Sequence, residues 1–169
     1  MLEKETKINK SEIESLVVDD LVFDDLKKIN WAGSATHLKY VEEALNRAQK
    51  GEVIYLAVRD ADGNPISIGG VDFCAHENAG TLWQIITKDS LRGLGIGTKL
   101  IESLEQKIKS RGINIVMLGV EDNNIIAQNL YKKLGYEVCG EAKESWKEED
   151  ESGRVYTHYA DEILMKKQL

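Results

Sequence analysis

The stretch Ser90-Leu91-Arg92-Gly93-Leu94-Gly95-Ile96-Gly97-Thr98-Lys99 puts glycine at every second position from 93 to 97, just ahead of a helical pattern. Inside a helix each glycine costs up to about 1 kcal/mol relative to alanine. That cost makes sense where the backbone must approach a ligand or take dihedrals that a Cβ would block. The N–H groups of a helix's first turn have no intrahelical partner, and the helix dipole favours negative charge there. A pyrophosphate suits such a loop, and so does an ordinary tight turn with close helix packing. The Lys-Ser/Thr pair of a Walker loop is missing at the required spacing. A dinucleotide fingerprint is incomplete too, because Gly93 and Gly95 call for a third glycine where Thr98 stands.

Other chemistry-bearing residues are dispersed. His37, His76 and His158 are scattered, and Cys74-Ala75-His76 offers at most two ligands where zinc takes four, so no metal is expected. No Gly-x-Ser-x-Gly elbow of a hydrolase is present. Cys74 and Cys139 lack C-x-x-C spacing and are expected as reduced thiols in or near the core. The run Lys147-Glu148-Glu149-Asp150-Glu151 reads as a solvated turn before the last strand. Trp31, Trp83 and Trp146 read as core or groove packing, with Trp31 and Trp146 also candidates for the walls of a substrate cleft.

To present its N–H groups, the glycine loop needs a strand before it and a helix after it. Leu82-Trp83-Gln84-Ile85-Ile86-Thr87 supplies the strand, and Leu100, Ile101, Leu104 and Ile108 mark the core face of the helix, with Gly112 just past its end. A fifth strand follows over 113–120, and a crossover of this length makes it parallel to the fourth. Upstream, a first strand is expected over 12–18, then a helix capped by Asp19 or Asp20 with Leu21, Val22, Leu26 and Ile29 on its apolar positions. A second helix starts near Ser34 or Thr36 and carries Leu38, Val41, Leu45 and Ala48 on one face. Residues 53–58 form a continuous apolar run, as in a strand buried on both faces. Asp62-Gly63 centres the turn that returns a third strand, 66–73, antiparallel. A short helix over 125–134 ends at Gly135, and strands at 136–146 and 156–165 close an α/β domain with a mixed sheet.

At 169 residues, 42% hydrophobic and 30% charged, the chain has the composition of a soluble globular protein with a core of its own. A single proline, Pro65, and the lack of linkers or repeats suit one continuous domain. Met1-Leu2-Glu3-Lys4-Glu5-Thr6-Lys7 mixes charge signs and leads into no apolar segment, unlike a secretory leader. No apolar run reaches the roughly 20 residues of a membrane span. A cytoplasmic protein without a membrane partner is expected. The net charge of −7 speaks against a nucleic-acid partner and suits a cationic small molecule or basic peptide.

Arg92-Gly93-Leu94-Gly95-Ile96-Gly97 resembles the Arg/Gln-x-x-Gly-x-Gly/Ala loop of the GNAT N-acetyltransferase family, matching at Arg92, Gly95 and Gly97. Independently, Asn124-Ile125-Ile126-Ala127-Gln128-Asn129-Leu130-Tyr131-Lys132-Lys133-Leu134-Gly135-Tyr136 is similar to the family's Asn-x-x-Ala-x-x-Leu-Tyr-x-x-x-Gly-Phe/Tyr stretch. One helix and one strand separate the two motifs, in the family's order, and Glu162-Ile163-Leu164-Met165 is similar to its closing strand. Residues 19–50 are the part least covered, in a region where the family varies and usually builds its acceptor site.

The resemblance implies one α/β domain over residues 1–169, with a mixed central sheet of about seven strands and about four helices. A splayed parallel pair, strands four and five, would hold the pantetheine arm of acetyl-CoA. Backbone groups of Ile85, Ile86 and Thr87 would bond the arm like an added strand, and an N–H near Ile86 would polarise the thioester carbonyl. The N–H groups of Gly93, Leu94, Gly95, Ile96, Gly97 and Thr98 would hold the pyrophosphate, with Arg92 lending charge. Asn124 would contact the arm, although its place also suits a simple helix cap. The implied reaction is direct transfer of acetyl, in a ternary complex, to the primary amine of a small molecule or peptide. Dimers are common in the family, so a homodimer is an expected assembly. A non-catalytic acyl-CoA sensor and a nucleotide-dependent oxidoreductase are the competing readings, and the second leaves 124–136 unexplained.

Acetyl transfer needs a neutral amine, a stabilised oxyanion and a proton for the leaving thiolate. An amine with pKa near 10.4 lies about 3.4 units from neutrality at pH 7, on the order of 4–5 kcal/mol. Tyr131 matches the family's general acid, since a phenol stays protonated at neutral pH; beside Leu130 and Leu134 it would also suit a core position. Relatives that modify protein N-termini carry a glutamate near the end of the fifth strand, where this chain has Gly119. The base is therefore unassigned, with Glu121 the first candidate and Asp72 the second, and each also suits a solvated strand end. In this fold the acidic run at 147–151 can border the acceptor and would favour a cation.

Overall fold

The computed structural model describes residues 8–169; residues 1–7, whose mixed charges are unlike a secretory leader, lie outside the described residues. A short helix α1 (Lys10–Ser15) leads into β1 (Val17–Asp20), two 3-10 turns (Phe23–Lys28 and Asn30–Ala32) and α2 (Ala35–Gln49). Then come β2 (Val53–Arg59), β3 (Pro65–Asp72), β4 (Gly80–Thr87), a 3-10 turn (Asp89–Leu91) and α3 (Ile96–Ser110). The chain closes with β5 (Ile115–Glu121), α4 (Ile125–Lys133), β6 (Glu137–Glu149) and β7 (Val155–Gln168). The seven strands make one mixed sheet in the order β1-β2-β3-β4-β5-β7-β6, antiparallel except for the β4–β5 pair.

The sheet is covered on both faces, which explains why β2 has no polar side. Leu56 and Val58 point to one layer with Leu100, Ile101, Leu104 and Ile108 of α3, while Tyr55 and Ala57 point to the other with Val41, Ala44 and Leu45 of α2. Helix α2 is capped by Ser34, whose hydroxyl accepts from the His37 N–H at 3.2 Å. The parallel β4–β5 pair is the expected product of the α3 crossover.

The N-terminal region differs from expectation. Residues 10–15 form a helix, because Asn9 and Glu12 make a reciprocal capping box: Asn9 Oδ1 accepts from the Glu12 N–H at 2.9 Å, and the Asn9 N–H donates to Glu12 Oε2 at 2.6 Å. The first strand is only Val17–Asp20, so Asp19 and Asp20 are strand residues and cap nothing. The helix expected after them is a 3-10 turn, where Asp25 reaches back to the Val22 N–H at 3.0 Å. Cys74 and Cys139 are exposed free thiols, not core residues. Cys74 sits in the turn after β3, and Cys139 on the edge strand β6, whose flank no other strand covers. The acidic run is also shifted, since β6 continues through Lys147 to Glu149 and the turn begins only at Asp150. Among the described residues no helix is long and apolar enough to cross a membrane.

Candidate active site

Strands β4 and β5 are paired only at Gly80–Val116, Thr81–Met117 and Leu82–Leu118; beyond that they separate. A bulge explains why. Ile68 of β3 pairs with Ile86 and Gly70 with Trp83, so β4 carries an extra residue around Gln84. Gln84 holds a left-handed φ of 54°, rare for a residue with a side chain, and the Tyr55 hydroxyl donates to its Oε1 at 3.1 Å. The kink turns the end of β4 away from β5 and leaves backbone groups facing the gap. The Ile86 carbonyl accepts from the Ser67 hydroxyl at 3.1 Å, and the Lys88 N–H donates to Ile66 O, so both point toward β3. Strand alternation then aims the backbone groups of Ile85 and Thr87 into the splay. Of the three residues expected to bond an arm, Ile85 and Thr87 thus face the gap, whereas the Ile86 carbonyl faces β3.

The glycine loop closes the wide end of this gap. Gly95 is the N-cap of α3 with φ 91°, and its lack of a side chain leaves the first turn without a side-chain cap. The first intrahelical bond is made by the Lys99 N–H to Gly95 O, so the N–H groups of Ile96, Gly97 and Thr98 have no intrahelical partner. At Gly97 a Cβ would stand 3.3 Å from Thr87 Oγ1, crowding the cradle. Gly95→Ala should lower stability by about 1–2 kcal/mol through its left-handed backbone alone, measured as a lower urea midpoint at unchanged slope; an unchanged midpoint would contradict that strain.

One cleft of about 570 Å³ is lined by Ile85, Ile86, Thr87, Arg92, Gly93, Gly95, Ile96, Gly97, Thr98, Asn124 and Tyr131. Leu94 is not among its walls; it is exposed and faces a neighbouring depression beside α1. Arg92 extends into solvent, with Nη2 2.8 Å from Asp89 and Nε donating to Thr87 O at 3.3 Å. Asn124 caps α4 by accepting the Ala127 N–H at 3.2 Å while lining the cleft, so the two roles coexist. The two tyrosines of the 124–136 stretch have separate tasks. Tyr136 is buried and donates to Glu105 at 2.7 Å, joining α3 to the chain after α4. Tyr131 packs edge-on against it, ring centroids 5.7 Å apart, and its hydroxyl has no hydrogen-bond partner among the described residues. Burial pushes the Tyr131 phenol up to about 12, so it stays protonated across the working pH range.

The other face of the sheet, beside the start of α2, is acidic. Glu121 of β5 is half-buried and 2.9 Å from His158 Nε2, and the His158 ring lies 4.7 Å from that of Trp146. Trp146 donates to Glu148 at 2.8 Å, and Glu149 accepts from the N–H and hydroxyl of Thr36, both at 3.0 Å, at the head of α2. His37 Nε2 is buried without a partner, and burial outweighs the nearby Glu148 charge to lower its pKa. Trp31 and Trp83 pack against the second core layer, Trp83 edge-on to Tyr55.

Asp72 does not join this group. It pairs with Thr81 at the closed end of the sheet, roughly 15 Å along β4 from Ile86 at strand rise. Arg47 holds it in a two-bond fork at 2.7 and 2.9 Å. Burial pushes its carboxyl up, but the Arg47 bonds and charge, with the Cys74 N–H, hold it below the usual range, which suits a strut and not a proton acceptor. Glu162, which sequence reasoning missed as a site residue, does join. A Cβ on Gly119 would collide with Oε2 of Glu162 and stand 3.0 Å from its Cδ. The only local signal was the glycine itself, at a strand position where a side chain is normal. Among the described residues no cluster of three His, Cys, Asp or Glu is arranged to hold a metal.

Comparison with known proteins agrees with this fold. Residues 21–136 match the family described as Acetyltransferase (GNAT) family. The L-methionine sulfoximine/L-methionine sulfone acetyltransferase of Pseudomonas aeruginosa is 26% identical over 57 residues, 34% of this chain, and the match spans only 33% of that protein's length. The crystal structure of the ribosomal-protein-S18-alanine N-acetyltransferase from Escherichia coli shares the fold at TM-score 0.69 and 19% identity, over 90% of this chain and 93% of that one. The PaiA N-acetyltransferase from Thermoplasma acidophilum, solved in complex with coenzyme A, shares it at TM-score 0.65 and 20% identity, over 92% and 99%.

Proposed function

The chain belongs to the acetyltransferase (GNAT) family, and on that premise we propose that it transfers acetyl from acetyl-CoA to a primary amine, as one catalytic domain over residues 1–169. The observation that carries this reading is the continuity of one cleft from the unpartnered first turn of α3, past the open edge of β4, to the free hydroxyl of Tyr131. The cradle fits the group: the first-turn N–H groups suit a pyrophosphate, and the backbone of Ile85 and Thr87 suits an extended amide-bearing arm added as a strand. Acetyl-CoA would supply the acetyl as an activated thioester. Arg92 adds positive charge at the cradle, Asn124 lines the passage of the arm, and Tyr131 holds a proton where a leaving sulfur needs one. Glu121, paired with His158, lines the acidic face that would receive the amine as a cation.

An acyl-CoA sensor would have no use for a phenol kept protonated and unpartnered at the cleft, so catalysis is the reading favoured here. The acceptor is a small-molecule or peptide amine. A cytoplasmic setting and a homodimer accompany the proposal without being required by the cleft.

Thermal unfolding with acetyl-CoA, CoA, NAD and ATP tests it first. A ligand at 100 times its Kd should stabilise the fold by about 2.7 kcal/mol. A shift with acetyl-CoA and CoA alone, followed by amine-dependent CoA release, is the expected result. No shift with either would overturn the proposal.

A further inference from the structure

We propose that Glu162 is the general base of the reaction, its carboxylate delivered from β7 into the space that Gly119 leaves on β5. This rests on the acetyltransferase reading above. Gly119 is the first β5 residue beyond the last β4–β5 pair, Leu82–Leu118, so it lies at the mouth of the splay. It alternates with Leu118 and Val120, which are buried in the α3 layer, so a side chain at 119 would project from the opposite face. Glu162 pairs with Glu121 and Leu164 pairs with Gly119, which makes Glu162 and Gly119 diagonal neighbours on that face. The Glu162 carboxylate leans across this diagonal into the volume where a Gly119 side chain would begin.

The two candidates offered by the sequence are less suited. Asp72 is tied to Arg47 at the closed end, and one oxygen of Glu121 is engaged by His158. Glu162 has no hydrogen-bond partner among the described residues. Glu121 on β5, itself held by His158, and Glu144 on β6 lie around it, and Asp122, Glu141, Lys143 and Asp161 line the adjoining depression with it. Burial, then the Glu144 and Glu121 charges, raise its carboxyl above the ordinary glutamate range, toward the pH at which a base works best.

Glu162 takes one proton from the acceptor ammonium, which frees the nitrogen lone pair. As the C–N bond forms and the C–S bond breaks, Tyr131 gives its phenolic proton to sulfur. The second nitrogen proton restores the phenol through water, and Glu162 releases its proton to solvent, one per turnover.

The test compares kcat/KM against pH for the unmodified protein, Glu162→Gln and Glu121→Gln. Acetyl-CoA is the donor, with a panel of diamines, amino-acid amides and short peptides as acceptors. CoA binding by calorimetry runs alongside. Glu162→Gln should lose about 10²–10⁴-fold in kcat and its rising acidic limb, with CoA affinity retained. Gly119→Glu/Glu162→Gly, which moves the carboxylate from β7 to β5, should recover at least about tenfold over Glu162→Gln, a rescue that a packing role would not give. If the unmodified protein turns over amines while Glu162→Gln keeps its rate and acidic limb, the base assignment alone is overturned. If the unmodified protein binds CoA but acetylates no amine, the acetyltransferase reading fails and takes this assignment with it.

Discussion

Tyr131→Phe should lower kcat by about 10²–10⁴-fold, the usual loss when a positioned proton donor is removed. The ring would stay in place, because it packs against the α3-side core and edge-on to Tyr136. The lost hydroxyl has no partner among the described residues, so its removal strands no buried group and folding stability should change little. Burial holds the phenol up to about 12. The unmodified protein should therefore show no alkaline decline from this group below about pH 10. Steady-state kinetics beside CoA calorimetry checks both points. Unchanged turnover with intact CoA binding would leave Tyr131 a packing residue only.

Asp25→Ala should cost on the order of 3 kcal/mol in folding stability, the lower end for breaking a buried ion pair by removing one partner. Asp25 is only 3% exposed and sits where β1, β2 and the first 3-10 turn meet. Its carboxylate takes two bonds from Arg59, at 3.0 and 2.8 Å, and one from the Val22 N–H at 3.0 Å. Arg59 would keep Asp19 and the carbonyls of Asp20 and Gly63, which is why the loss falls at the lower end. The pH dependence follows from the same contacts. Burial raises the Asp25 carboxyl, but the Arg59 bonds, the Val22 N–H and the charges of Arg59 and Lys28 together lower it further than burial raises it. Its folded pKa is thus depressed, so its contribution is complete above the unfolded aspartate value of about 3.9 and is lost as pH falls through the lower folded one. Urea unfolding at pH 7 and pH 3 should show the penalty of Asp25→Asn shrinking with acidification. An equal penalty at both would contradict the assignment.

Local order was legible because it is written in local periodicity. The α3 face, the α2 face, the all-apolar β2 and the crossover that makes β4 and β5 parallel each follow from residues close in the chain, and so do the glycine loop and the 124–136 stretch. The helix at 10–15, where a strand over 12–18 is expected, is local as well, set by the Asn9–Glu12 capping box. Long-range contacts decided everything else. Gln84, the residue at the bulge, is bonded by Tyr55, 29 residues away. Asp72 is a strut because Arg47, 25 residues away, reaches it, and Glu121 meets His158 across 37 residues. Gly119 and Glu162 become neighbours only through the β5–β7 register. A single strand's sequence determines which residues share a face. Which partner residue lies opposite depends on how the whole sheet packs beneath its helices, and that packing brings Glu162 beside Gly119.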